Sequence, residues 1–204
     1  MAETREGNTL ANRNIRRIDE ESSGSRRTYI IIGMVAALLI GGFILLAVID
    51  SRQKAASTPP DAVQDIDVGE AGRHTEDKVD YDQNPPAGGE HNPVWQNCGY
   101  YPEPIPNENA VHSLEHGAVW ITYSEDLPEG QIKNLRDRAT NGDYLLVSPA
   151  KDLPSPIVAS AWGKQAQIEK ADSEDLDRFI QAFRQGPQTP EPGATCSGGV
   201  GEPS

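Results

Sequence analysis

The segment from Tyr29 to Ile49, YIIIGMVAALLIGGFILLAVI, runs without a single charged residue. As a helix rising about 1.5 Å per residue it covers roughly 30 Å, the thickness of a bilayer's hydrocarbon layer. A core helix of a soluble protein shows a polar face, and this segment is apolar all round. A cleaved leader has a shorter apolar run ending in a small-x-small site, whereas this one runs into Asp50-Ser51-Arg52-Gln53-Lys54. The chain therefore reads as a single-pass cell-membrane protein with a retained signal anchor. Arg13, Arg16, Arg17, Arg26 and Arg27 precede the span and only Arg52 and Lys54 follow it closely, so the N-terminus is expected in the cytoplasm and the rest outside.

Five stretches follow from composition. Residues 1–28 are polar and Arg-rich without hydrophobic periodicity, a cytoplasmic segment expected to be disordered. Residues 29–49 are the transmembrane anchor, and residues 50–72, rich in Ala, Pro, Asp and Gly, form a linker. Residues 73–187 are long enough for one small extracytoplasmic domain with its own core. Residues 188–204 are a Pro/Gly-rich tail.

Within the domain, Pro85-Pro86, Gly88-Gly89, Pro93, Pro102, Pro104 and Pro106 mark the part through Glu108 as loops or extended chain. Ala118 to Tyr123, Tyr144 to Ser148 and Ile157 to Trp162 read as strands, and Pro128 to Thr140 as a helix. A second helix, Ser173 to Arg184, has Ser173 as N-cap and Glu174 and Asp175 in its first turn. Its Leu176, Phe179, Ile180 and Phe183 fall at helical spacing on one core-facing side. The expected fold is α+β, with a small mixed β-sheet and two helices.

Residues 50–204 hold 12 Lys/Arg against 26 Asp/Glu, a formal charge of −14. Nucleic acid is excluded as a partner of such a surface, because its phosphates need a basic one. Cations, basic proteins or the cationic face of a larger complex are compatible with it, and so is a plain solubilising surface. Cys98 and Cys196 are the only cysteines and both fall on the outer side, where thiols oxidise. A disulfide between them is the simplest account, with two free thiols or a metal-bound Cys98 as alternatives.

All four histidines, His74, His91, His112 and His116, lie in one stretch of the domain. His112 and His116 are four apart, so one helical turn aims both imidazoles from one face, where they can grip a metal ion. His91 sits in a Gly-Gly-Glu-His-Asn-Pro loop that can bring a third ligand, and neutral imidazoles suit copper or zinc. Glu115 is a fourth ligand or orients an imidazole. His74, at the linker's edge, is expected to matter less, and Glu90 and Glu108 have weaker claims. The alternative is that these histidines simply hydrogen-bond in turns.

The run His112-Ser-Leu-Glu-His116 also satisfies H-x-x-E-H, the inverted zinc-peptidase signature. That chemistry needs a sustained helix and a further acidic ligand, whereas Gly117 and a β-branched strand follow at once, so no enzyme is expected. Trp95, Tyr100, Tyr101, Trp120 and Trp162 are available for a ligand wall or for core packing. No Gly-rich phosphate loop and no Gly-x-Ser-x-Gly elbow is present.

The succession His74, Tyr81, Pro85-Pro86, Gly89-x-His91, Trp95, Gly99-x-Tyr101, Val111-His112-x-Leu114-Glu115-His116-Gly117, Tyr123 and Ala161-Trp162-Gly163 resembles the domain-of-unknown-function 3105 family of membrane-anchored or exported bacterial proteins. The resemblance covers roughly His74 to Pro187 and implies no particular activity. It implies a shared site at His91, His112, Glu115 and His116, while Cys98 and Cys196 are not among its marks.

Two functions fit these residues. One is a metal-binding domain, for copper or zinc, serving an envelope or respiratory complex. The other is an accessory subunit docking on such a membrane complex. Gly33, Ala37 and Gly41, spaced by four, form a small-residue stripe along which another transmembrane helix can approach.

Overall fold

The computed structural model describes residues 28–47, 59–139 and 144–204. The Arg-rich segment before Thr28, the flanking Arg52 and Lys54, and Thr140 at the end of an expected helix lie outside the described residues. The chain divides into two compact units, residues 1–53 and 54–204.

In the first unit, helix α1 (Thr28–Ala47) is 20 residues long and apolar enough to cross a membrane. That length and composition fit a membrane anchor or a signal sequence. Every residue of α1 is exposed, and a side chain added at Gly33 or Gly41 would meet open space.

The second unit is an α+β domain built on a six-stranded mixed sheet. In chain order its elements are β1 (Gln64–Asp65), β2 (Gly99–Tyr100), α2 (Asn107–Glu115), β3 (Val119–Tyr123), α3 (Glu129–Arg138), β4 (Leu145–Pro149), β5 (Ile157–Ala161), β6 (Lys164–Ile168) and α4 (Glu174–Phe183). The strand order is β1-β6-β5-β3-β4-β2. β3 runs parallel to β4, with Ile121 opposite Val147, and antiparallel to β5, with Ile121 opposite Ala159. The α3 crossover joins the parallel pair β3 and β4, as such a pair requires.

β3 is buried along its whole length because both sheet faces are covered. Val119, Ile121 and Tyr123 point to one side, into a core with Leu145, Val147, Ile157, Leu176, Phe179 and Phe183 under α3 and α4. Trp120 points to the other, with Leu146, Trp162, Val111, Leu114, Cys98 and Cys196. The Ser173 Oγ accepts the Leu176 N–H at 3.2 Å, and Leu176, Phe179, Ile180 and Phe183 are all buried, as the helical spacing predicts. Burial of side chains of that size contributes about 1.5–3 kcal/mol each.

The domain has three helices where the sequence reading expects two. The additional one, α2, begins immediately after Pro106, whose extended backbone closes the proline-rich run. It gives no amphipathic signal because Glu108, His112, Ser113 and Glu115 are buried along with Ala110, Val111 and Leu114. β6 was also unmarked, since Lys-Gln-Ala-Gln-Ile lacks a β-branched run, but it forms a hairpin with β5 around Trp162-Gly163. Gly117 ends α2 at a φ of 94°, where a Cβ would strike the Gln185 amide and the Thr189 side chain.

The segments flanking residues 73–187 are part of the same unit. β1, from the expected linker, pairs with β6, and the Ile66 N–H donates to the Gly163 carbonyl. From the expected tail, the Val200 N–H donates to the Trp95 carbonyl and the Ser204 N–H to the Tyr100 carbonyl, each at 2.9 Å. Cys98 and Cys196 are paired at disulfide distance, with Cα atoms 5.4 Å apart.

Candidate metal centre

All four histidines meet on the α2 side of the sheet, carried there by two loop segments and by α2 with its C-cap residue His116. The backbone at residues 73–75 pairs with His91, whose N–H donates to the Arg73 carbonyl while its carbonyl accepts from Thr75. His74 is thereby stacked on His112, ring centroids 4.9 Å apart and planes 16° from parallel. His91 lies edge-on to both, at 4.8 Å from His74 and 4.9 Å from His112. His116, one turn on from His112, is 4.5 Å from it, centroid to centroid.

Each of the three buried histidines is anchored in the same way. His91 Nδ1 meets the Gly89 carbonyl at 2.7 Å, His112 Nδ1 the Asn92 carbonyl at 2.7 Å, and His116 Nδ1 the Thr195 carbonyl at 2.6 Å. A carbonyl only accepts, so each Nδ1 carries its proton and donates. The neutral ring then has a lone pair on Nε2, the tautomer that a metal-ligating histidine needs.

Glu115 is fully buried. Its Oε1 accepts the Gly72 N–H at 2.6 Å, and its Oε2 lies 2.9 Å from His91 Nε2 and 3.6 Å from His74 Nε2. With His91 Nδ1 already donating, the Nε2 and carboxylate lone pairs face each other and need a shared cation, either a proton or a metal ion. Burial pushes the Glu115 carboxyl up, but the His91 hydrogen bond, the Gly72 N–H and the charge of His91 and His112 overcome it and hold its pKa at about 2. Burial brings His112 down to about 4 against the pull of the Asn92 carbonyl, and the neighbouring His116, His91 and His74 add to the lowering. At neutral pH His112 therefore offers a lone pair and Glu115 a negative charge.

Among the described residues, two groups bring ligand atoms within 4.8 Å of one another: His74, His91, His112 and Glu115, and His112, His116 and Glu191. Of the four residues expected as ligands, the first group holds His91, His112 and Glu115. His116 stands with Glu191, its Nε2 3.5 Å from the Glu191 carboxylate, and His112 belongs to both. His74 joins the first group with its side chain 39% exposed. Its place in the sequence at the linker's edge hides the backbone pairing that brings it in. Glu191 had no sequence signal, lying among prolines in the tail.

The aromatic residues divide. Trp95 stands 5.0 Å from the His116 ring and 5.8 Å from His112, and Trp162 stands 5.8 Å from His91, so these two border the histidines. Tyr100, Tyr101 and Trp120 pack in the two cores.

Fold and site together define a small α+β domain with a buried histidine and carboxylate cluster. The chain belongs to the family described as protein of unknown function (DUF3105), whose model matches residues 73–198. That match takes in all four histidines, Glu115, Glu191 and both cysteines. No curated protein and no solved structure matches the chain.

Proposed function

We propose that the protein is a membrane-anchored, extracytoplasmic metal-binding domain that holds a copper or zinc ion through His91, His112 and Glu115, with His74 at the solvent edge. One observation carries this reading. Three buried imidazoles all give their Nδ1–H to a backbone carbonyl, which leaves Nε2 of each as the atom that can ligate, in two groups that meet at His112. Turn hydrogen bonding alone has no reason to set His91 Nε2 against the Glu115 carboxylate and His116 Nε2 against that of Glu191.

Nitrogen and oxygen ligands of this kind suit zinc(II) or copper(II). The role is binding and not hydrolysis, because Glu115 has one oxygen tied to the Gly72 N–H and the other against His91, and so is not free to activate a water. Topology follows from the arginine excess before α1. Docking on an envelope or respiratory complex accompanies this reading, with the open stripe of Gly33, Ala37 and Gly41 as the contact.

The test is metal analysis of the full chain, purified in detergent without a metal-affinity resin, followed by calorimetric titration with copper(II) and zinc(II). Saturable one-site binding that His112→Ala removes is expected. No binding tighter than about 10 μM, an interaction of roughly 7 kcal/mol, refutes the reading.

A further inference from the structure

We infer that His116 and Glu191 form a second metal station sharing His112 with the first, so that an incoming ion draws His112 away from the inner ion and drives metal exchange. The inference rests on the metal-binding reading above and adds to it how the ion is taken up and released.

Three observations lead to it. The two ligand groups intersect at His112 and nowhere else. The His112 Nδ1–H is committed to the Asn92 carbonyl, so a single lone pair remains on Nε2, and one lone pair ligates one ion. Both groups cannot then be filled with complete ligand sets. The second group also repeats the arrangement of the first: His116 Nδ1 donates to Thr195, and its Nε2 faces a carboxylate oxygen of Glu191 at 3.5 Å.

The groups differ in access. The Glu115 and His91 side chains are fully buried, whereas the Glu191 side chain is 49% exposed beside a nearly buried His116. An ion from solvent can exchange waters for the Glu191 carboxylate and His116 before it reaches His112. The transfer from inner to outer ion is a ligand exchange at one imidazole, with no change of redox state and no proton moved. The class of ligand is a divalent transition-metal ion.

The experiment loads the full chain in detergent with cobalt(II), whose visible bands report its coordination, and chases it with excess zinc(II). In the wild type, cobalt loss should quicken as the zinc concentration rises. Glu191→Gln, at an exposed position, should still load cobalt at the inner site but lose it at a rate independent of zinc. Glu115→Gln keeps the shape of the inner site, since its amide can donate to His91 Nε2, and it should leave a weaker ion with different bands at the outer station.

A wild-type rate independent of zinc overturns the inference, as does an equal zinc dependence in Glu191→Gln. No cobalt bound by a folded Glu115→Gln chain means there is no outer station. An affinity loss in Glu191→Gln as large as in Glu115→Gln means one merged centre. Failure of the wild type to load cobalt at all is read before any chase, and it alone removes the metal-binding reading as well.

Discussion

Breaking the contact between His91 and Glu115 tests whether the cluster is organised around that buried pair. His91→Leu fills the space but leaves the Glu115 carboxylate buried with the Gly72 N–H and, at 3.6 Å, the partly exposed His74, since the Glu115 and His91 side chains are 0% exposed. Removing one partner of a buried pair costs about 3–5 kcal/mol, while replacing both with apolar groups of similar volume is close to neutral. The double variant His91→Leu with Glu115→Leu should therefore recover at least about 2 kcal/mol of the summed single losses. For a domain of this size the single loss lowers the melting temperature by roughly 6–20 °C. Unfolding by urea, followed by tryptophan fluorescence in the presence of a chelator, measures it, because Trp95, Trp120 and Trp162 are the only tryptophans and all lie in the domain. A His91→Leu cost under about 1 kcal/mol, or strict additivity of the two changes, would refute the reasoning.

Three further outcomes are expected. Cys98→Ser or Cys196→Ser opens a loop of 98 residues, and the loop-closure term puts the loss of stability at up to about 4.7 kcal/mol, read by urea midpoint under non-reducing conditions. Gly117→Ala places a Cβ at a φ of 94° against the Gln185 amide and should cost about 1–3 kcal/mol in the same assay, with an unchanged midpoint counting against it. Glu108 is pushed up by burial, but its own N–H, the Val79 N–H and Lys78 hold its carboxyl below the ordinary carboxylate range. A lowered folded-state pKa stabilises above the unfolded value, and the gain is lost as pH falls through the folded one. Glu108→Gln should accordingly flatten the acid limb of the stability profile, and an unaltered limb would show that the carboxylate contributes nothing.

What the sequence made legible is what obeys a period. The face of α4 and the buried strand β3 follow from apolar spacing, the Ser173 cap from its place before an acidic first turn, and the four histidines that share one stretch of sequence also meet in the fold. α2 was not legible because its buried face is made of Glu108, His112, Ser113 and Glu115, polar residues that a periodicity count assigns to solvent. The approach of His74 was not legible for a related reason: its backbone pairing with His91 is a bridge of one residue, too short to mark the chain. Glu191 is carried in by the fold alone. Its N–H donates to the Glu115 carbonyl at 3.1 Å, a contact across 76 residues that no local pattern announces.

The carbonyl of Thr195 gives this last contact a bearing on timing. Thr195 precedes Cys196, so the acceptor that orients His116 arrives only when chain some eighty residues downstream has emerged and settled beside Cys98. On the proposed topology, that moment comes after translocation. A nascent chain still threaded through the export machinery carries His112 and His116 without the Thr195 acceptor and without Glu191. On the proposed function, metal capture by the His116 side is thus deferred to the finished domain, and a premature stop before Glu191 would yield a protein with its histidines intact and without the Glu191 carboxylate beside His116.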